Sequence, residues 1–185
     1  PMASPTFEPG PPDERSIELS RVVDRCIRES NMLNLEKLCL VEGSSVWLLF
    51  IDLHIIDYDG NLFDAAVLAT VAALRDTKLP TAKIEEEEII LDYDNPQPLP
   101  LEDTALMCTF AKIGDQMILD PSLDEEEILT ARLSIGMRSD GTICAMQKGG
   151  EGPLTKEDIL KAINITKEKI PQLIEELDKN IPQTR

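Results

Sequence analysis

The chain has 185 residues, 42% of them hydrophobic, and its 35 acids against 18 Lys and Arg leave a net charge of −17. Such a composition fills a folded core and excludes both a disordered chain and a free-standing cationic nucleic-acid binder, because the field of the whole molecule repels phosphate. Cys26, Cys39, Cys108 and Cys144 never approach Cys-x-x-Cys spacing, so they are expected to be small core residues of a reducing compartment, without a zinc site.

The proline-rich opening PMASPTFEPGPP is expected to carry no element of its own and reads as a cut edge. Residues 13–30 follow a helical period, with Ile17, Leu19, Val22, Val23, Cys26 and Ile27 on an apolar side, Arg21, Arg25 and Arg28 on another, and Asp13 as N-cap. LCLVEGSSVWLLFIDLHIIDYDGN predicts a short strand, a turn and a long strand. Trp47, Leu49, Ile51, Leu53 and Ile55 share one face of that strand, and Asp52 and His54 lie on the other. Residues 62–77, rich in Ala and Leu with Pro80 beyond, predict a buried helix.

Residues 85–88, all Glu, read as a solvated strand entrance. A strand over residues 89–93 gives way to Pro96, Pro98 and Pro100, a linker composition that places a boundary between 1–96 and 97–185. Residues 105–113, 116–119, 131–137 and 143–147 then alternate as strands of a small sheet, with a Ser-Asp-Gly turn joining the last two. The closing helix opens at Thr155, Asp158 completes a capping box, and Pro171 is a candidate kink. The longest apolar run, residues 46–51, is far short of the roughly 20 residues that span a bilayer. A cytoplasmic protein without a membrane partner is expected.

Arg21, Arg25 and Arg28 lie at i, i+4 and i+7, one helical ridge whose forked donors could grip successive phosphates of a single strand. The competing reading is that Glu18, Asp24 and Glu29, all within helical reach, absorb those charges as surface pairs. Asp120 and the acids at 124–127 form the densest carboxylate cluster, either a divalent-cation site or source of a general acid, or acids that satisfy a helix dipole. His54, the sole imidazole, beside Asp52, reads as a hydrogen-bonded structural residue. No phosphate-loop, dinucleotide, nucleophile-elbow or zincin motif occurs.

Three segments, TFEPGPPDERSIELSRVVDRCIRES, SVWLLFIDLHIIDYDGNLFDAAVLATVAAL and ILDPSLDEEEILTARLSIGMRSDGTICAMQKGGEGPLT, together with the closing helix, resemble the RNase PH superfamily. The resemblance is nearest to the non-catalytic RNase PH-like subunit of the archaeal exosome ring. It implies an α+β RNase PH fold, with mixed β-sheets, helices packed on them, and two lobes. It also implies a protomer that alternates with a catalytic sister in a hexameric ring, which shortens RNA from its 3′ end with inorganic phosphate and carries RNA-binding cap proteins.

Where active members read DGGTRTAA, this chain reads DGNLFDAA, which puts Leu62 and Phe63 at the places of the phosphate ligands. Glu126 and Arg132 take the places that active members give to an ED pair and to a further Asp six residues beyond it, which serve as general acid and metal ligand. The resemblance therefore implies no catalytic residue, no cofactor and no metal. It assigns single-stranded RNA to Arg21 and Arg25, with Arg28 as a third candidate. Two rival readings stay open: a self-sufficient phosphorolytic RNase using Asp120 and Glu126, and a scaffold protomer without RNA contact. Family members begin with roughly 70 to 90 further residues, so the first lobe is expected to be incomplete as the chain begins here.

Overall fold

Asp13 starts the first helix as its position predicts: its carboxylate accepts from the Ser16 N–H at 2.8 Å, and α1 runs Glu14–Glu29. The structure, a computed structural model, describes residues 2–85 and 88–181. The apolar side of α1 is buried at Leu19, Val22, Val23, Cys26 and Ile27, which leaves the arginine side to solvent. A 3₁₀ turn, Leu35–Leu38, leads to the short antiparallel pair β1 (Cys39–Val41) and β2 (Ser45–Val46). Helix α2, Leu62–Asp76, then buries Phe63, Val67, Val71 and Leu74.

The second part of the chain builds a four-stranded antiparallel sheet in the order β6-β5-β7-β8. Its strands are β5 (Ala105–Ile113), β6 (Gln116–Leu119), β7 (Ala131–Arg138) and β8 (Ile143–Gly149). The short helix α3 (Leu123–Ile128) joins β6 to β7, and the long α4 (Lys156–Asn180) follows β8. Strand β5 is buried over Ala105–Ala111 because both of its faces are covered. Alternation turns Thr109 toward Asp64 of α2 and Cys108 toward Thr166 of α4. Phe110, Leu106, Leu133 and Ile135 fill the middle, each contributing roughly 1.5–3 kcal/mol by leaving water. Buried residues from both sides of residue 97 join one cluster.

The capping box at Thr155 and Asp158 forms as predicted, and α4 runs unbroken through Pro171, held by the buried Thr166, Ile170 and Leu177. Its far end is pinned by Arg75, which is 5% exposed. Arg75 donates to Asp178 at 2.5 Å, to the Ile181 carbonyl at 3.1 Å and to the Thr104 hydroxyl at 2.6 Å.

Four sequence expectations change. The predicted long strand ends after Val46. Residues 47–57 lie outside every helix and strand. Trp47, Leu49, Leu53 and Ile55 lean on the core, but Leu48, Phe50, Ile51 and Ile56 are exposed. The alternation survives except at Ile51, but without a ladder, because a strand needs a neighbour to take its N–H and C=O groups, and none lies beside it among the described residues. The expected linker is instead the return strand of a ribbon, β3 (Lys78–Glu85) paired antiparallel with β4 (Glu88–Pro98). Its register shifts between Leu79 and Thr81, an irregularity that accommodates the prolines of a two-stranded edge. Glu86 and Glu87 of the acidic run lie outside the described residues. Cys26 and Cys108 are core residues as expected, but Cys39 is exposed and Cys144 only half-buried, and all four thiols are free. His54 and Asp52 are exposed on the outer side of residues 47–57, and His54 makes no hydrogen bond among the described residues. No helix among the described residues is long and apolar enough to cross a membrane.

Candidate nucleic-acid interface

The turn before α2 gathers residues that are far apart in the chain. Gly60 has φ +94°, and a Cβ there would stand 2.5 Å from the Pro121 carbonyl oxygen, so only glycine lets the turn press against the backbone ahead of α3. The contact brings Glu126 to the turn, where its carboxylate accepts from the Tyr58 hydroxyl at 2.7 Å and from the Asn61 N–H at 3.0 Å. Burial and the Glu126 carboxylate push the Tyr58 phenol up to about 12, and Phe7 stacks on its ring at 5.2 Å. The proline-rich opening, which as expected forms no helix or strand over residues 2–12, thus carries an aromatic anchor for the site.

Asn61, left-handed at φ 41°, caps α2 and donates its side-chain amide to Asp64 at 2.9 Å and to Asp120 at 2.7 Å. Asp64 also accepts from the Thr109 N–H at 2.8 Å and the Thr109 hydroxyl at 2.7 Å. Burial nevertheless dominates and raises its carboxyl from 3.8 to about 6. A carboxyl raised on folding stabilises the protein fully below the unfolded value, and that stability is lost as pH rises through about 6. The expected loss between pH 4 and 7 from this group is roughly 2 kcal/mol. Asp64→Asn should flatten the pH dependence of urea unfolding in that window, and an unchanged slope would contradict the assignment.

Beside this network, the Arg132 guanidinium lies 4.2 Å from the centre of the Phe63 ring. Its Nη2 donates to Glu18 at 2.5 Å, which ties β7 to α1. Gly149 leaves the room: a Cβ there would stand 2.7 Å from that same Nη2. Leu62 is half-buried against the core. Leu62, Phe63, Glu126 and Arg132 are therefore brought together around the start of α2. Hydrocarbon at 62 and 63 offers an oxyanion no donor, and both Glu126 oxygens already accept hydrogen bonds. The Arg132 cation faces this cluster, so its donor set does not suit a divalent metal. Asp124, Glu125 and Glu126 occupy the first turn of α3, and Glu125 accepts from the Ser122 N–H at 2.9 Å, as the capping reading predicts.

The arginine ridge divides. Arg28 pairs with Asp24 at 3.1 Å and Glu29 at 3.7 Å. Glu18, the third acid in helical reach, is held by Arg132. Arg21 is exposed with no ion pair or hydrogen bond among the described residues, and Arg25, half-buried, donates to Gln147 of β8 at 3.3 Å. Arg21, Arg25 and Gln147 line an open groove of about 400 Å³, which Glu14, Glu18, Ile17 and Val22 line with them. Sequence reasoning missed Gln147, Tyr58 and Asn61. Only the period-2 placement of Gln147 on a strand hinted at its orientation.

Residues 1–80 match the family described as "3' exoribonuclease family, domain 1", and residues 103–169 match its domain 2. The chain is 71% identical over 181 residues to the exosome complex component Rrp42 of Methanothermobacter thermautotrophicus, covering 98% of this chain and 67% of that protein. It is 46% identical to the Rrp42 of Thermococcus kodakarensis, again over 98% and 67%. A solved Archaeoglobus fulgidus exosome with RNA bound to the active site superposes with a TM-score of 0.85 at 41% identity, covering 95% of this chain and 66% of that one. A structure described as an archaeal exosome core gives a TM-score of 0.81 at 37% identity, over 90% and 65%. The chain spans about two thirds of the length of the relatives it matches.

Proposed function

Because the chain belongs to the RNase PH family of 3′ exoribonucleases and has its α+β fold, we propose that it is a non-catalytic ring subunit of an archaeal-type exosome. In this reading it guides single-stranded RNA with Arg21 and Arg25 and leaves phosphorolysis to a catalytic sister that alternates with it in a hexameric ring, beneath RNA-binding cap proteins. The observation that carries the reading is a pairing of gain and loss on neighbouring surfaces. Two arginines line a groove with no carboxylate bonded to either among the described residues, Glu18 of the same lining being held by Arg132, while the cluster beside α2 holds Phe63, Leu62 and an occupied Glu126. Losing phosphate ligands and a metal site each removes several kcal/mol of transition-state stabilisation. A strongly acidic protomer then needs only a narrow basic strip, because stacking platforms and further cations on other subunits complete a single-strand channel.

Photo-crosslinking tests this. Oligoribonucleotide carrying 4-thiouridine, bound to the assembled complex, is expected to crosslink within residues 14–29 of this chain. Crosslinks confined to other subunits would favour a scaffold without RNA contact.

A further inference from the structure

We propose that Arg132 is a positioning residue for RNA: by holding Glu18 it keeps Arg21 free to take a phosphate, and through Glu18 and Gln147 it orients Arg25. This rests on the RNA-guiding reading above and adds to it a role for a residue that stands in the substituted active-site cluster.

Glu18 and Arg21 are three residues apart on α1, a spacing at which opposite charges meet across one helical turn. Left to itself, Glu18 would close on Arg21 and compete with phosphate. In the structure it turns to Arg132 at 2.5 Å. The Arg132 side chain is 17% exposed and that of Glu18 33%, so this pair lies in a lower dielectric than the exposed Arg21 could offer and outcompetes it.

Arg132 is fixed for this task from three sides. Its guanidinium stacks 4.2 Å above Phe63, Gly149 opens the space for Nη2, and Glu18 is its ion-pair partner among the described residues. Its Nε is buried with no hydrogen-bond partner among them, so stacking and the one ion pair hold the group.

Gln147 extends the arrangement. Its Nε2 donates to the same Glu18 oxygen at 3.4 Å, which leaves Oε1 to accept from Arg25 at 3.3 Å. One carboxylate therefore sets both arginines: it is withdrawn from Arg21 and turns the amide that aims Arg25. Phe63 and Arg132, which have displaced groups suited to phosphate and metal, thereby serve the RNA groove next door.

The test is a set of variants in the assembled complex, read by affinity for a single-stranded oligoribonucleotide and by its salt dependence. Arg132→Met keeps a long side chain on Phe63 and releases Glu18. It is expected to weaken binding about tenfold, the size of one charge-assisted contact. Adding Glu18→Gln should restore most of the affinity, because the released carboxylate is then gone and Asp24, the other acid a turn from Arg21, is taken by Arg28. A double variant as weak as Arg132→Met would mean that Arg132 touches RNA itself and would overturn the proposal, as would wild-type affinity in Arg132→Met. Gln147→Met, on the groove surface, is expected to weaken binding a few-fold with the salt slope unchanged, because every positive charge remains; full affinity would overturn the Arg25 part. Arg21→Gln separates the two layers. If it leaves affinity unchanged, the RNA-guiding reading fails and the inference with it. If it weakens binding while Arg132→Met does not, the inference alone fails.

Discussion

Replacing Arg21 and Arg25 together by Glu is expected to lower the affinity of the assembled complex for single-stranded RNA by roughly 100-fold or more, since each lost charge-assisted contact is worth about 1.5–3 kcal/mol. The slope of log affinity against log salt should shrink as well, by about 0.7 for each phosphate contact removed. The two effects come from one source. A phosphate held by a guanidinium releases its condensed counterions, and in a chain with a net charge of −17 no diffuse basic field can take over that part. Arg28→Glu is the internal control. Its charge is already met by Asp24 and Glu29, so it should change the slope far less. Equal losses from Arg28 and Arg21 would show that the ridge acts as undirected charge and that the groove is not the RNA path.

Gly60→Ala is expected to destabilise the protein by about 3 kcal/mol or more, through a left-handed backbone and a backbone clash together. The added Cβ would stand 2.5–2.7 Å from main-chain atoms of Pro121, Ser122 and Leu123. These cannot swing aside as a side chain would, so the turn must lift from α3. Glu126 would then lose Tyr58 and the Asn61 N–H, and Asn61 would lose Asp120. Gly141, also at positive φ but with nothing within 4 Å of its Cβ position, separates the two causes. Gly141→Ala should show only the conformational part, roughly 1–2 kcal/mol. Urea unfolding of both variants checks this, and equal losses would remove the close approach from the account.

Most helices and the four-stranded sheet were legible because their signals are local. The 3.6-residue period of Leu19, Val22, Val23 and Cys26, the caps at Asp13 and Thr155, and the alternation in β5 and β7 each report a nearby physical cause. Residues 47–57 show the limit of that reasoning. Their burial alternates except at Ile51, yet a strand is made by its neighbour, and periodicity does not say whether one is beside it. The ribbon was masked by its prolines, which signal a linker unless a paired edge tolerates them.

The site divides in the same way. The ridge at i, i+4 and i+7 could be read directly, as could the hydrocarbon at 62 and 63. Which acids would neutralise the arginines could not, because the partner that draws Glu18 away lies 114 residues further along the chain. That single long-range pair distinguishes a neutralised helix surface from an open groove, and only tertiary packing sets it.

The most direct measurement is nucleoside diphosphate release from single-stranded RNA in the presence of inorganic phosphate and a divalent cation, by the whole protein alone and after addition of the catalytic sister. No phosphate-dependent release is expected from the protein alone, and turnover is expected once both subunits are present. Phosphate-dependent diphosphate release by the protein on its own would contradict this expectation.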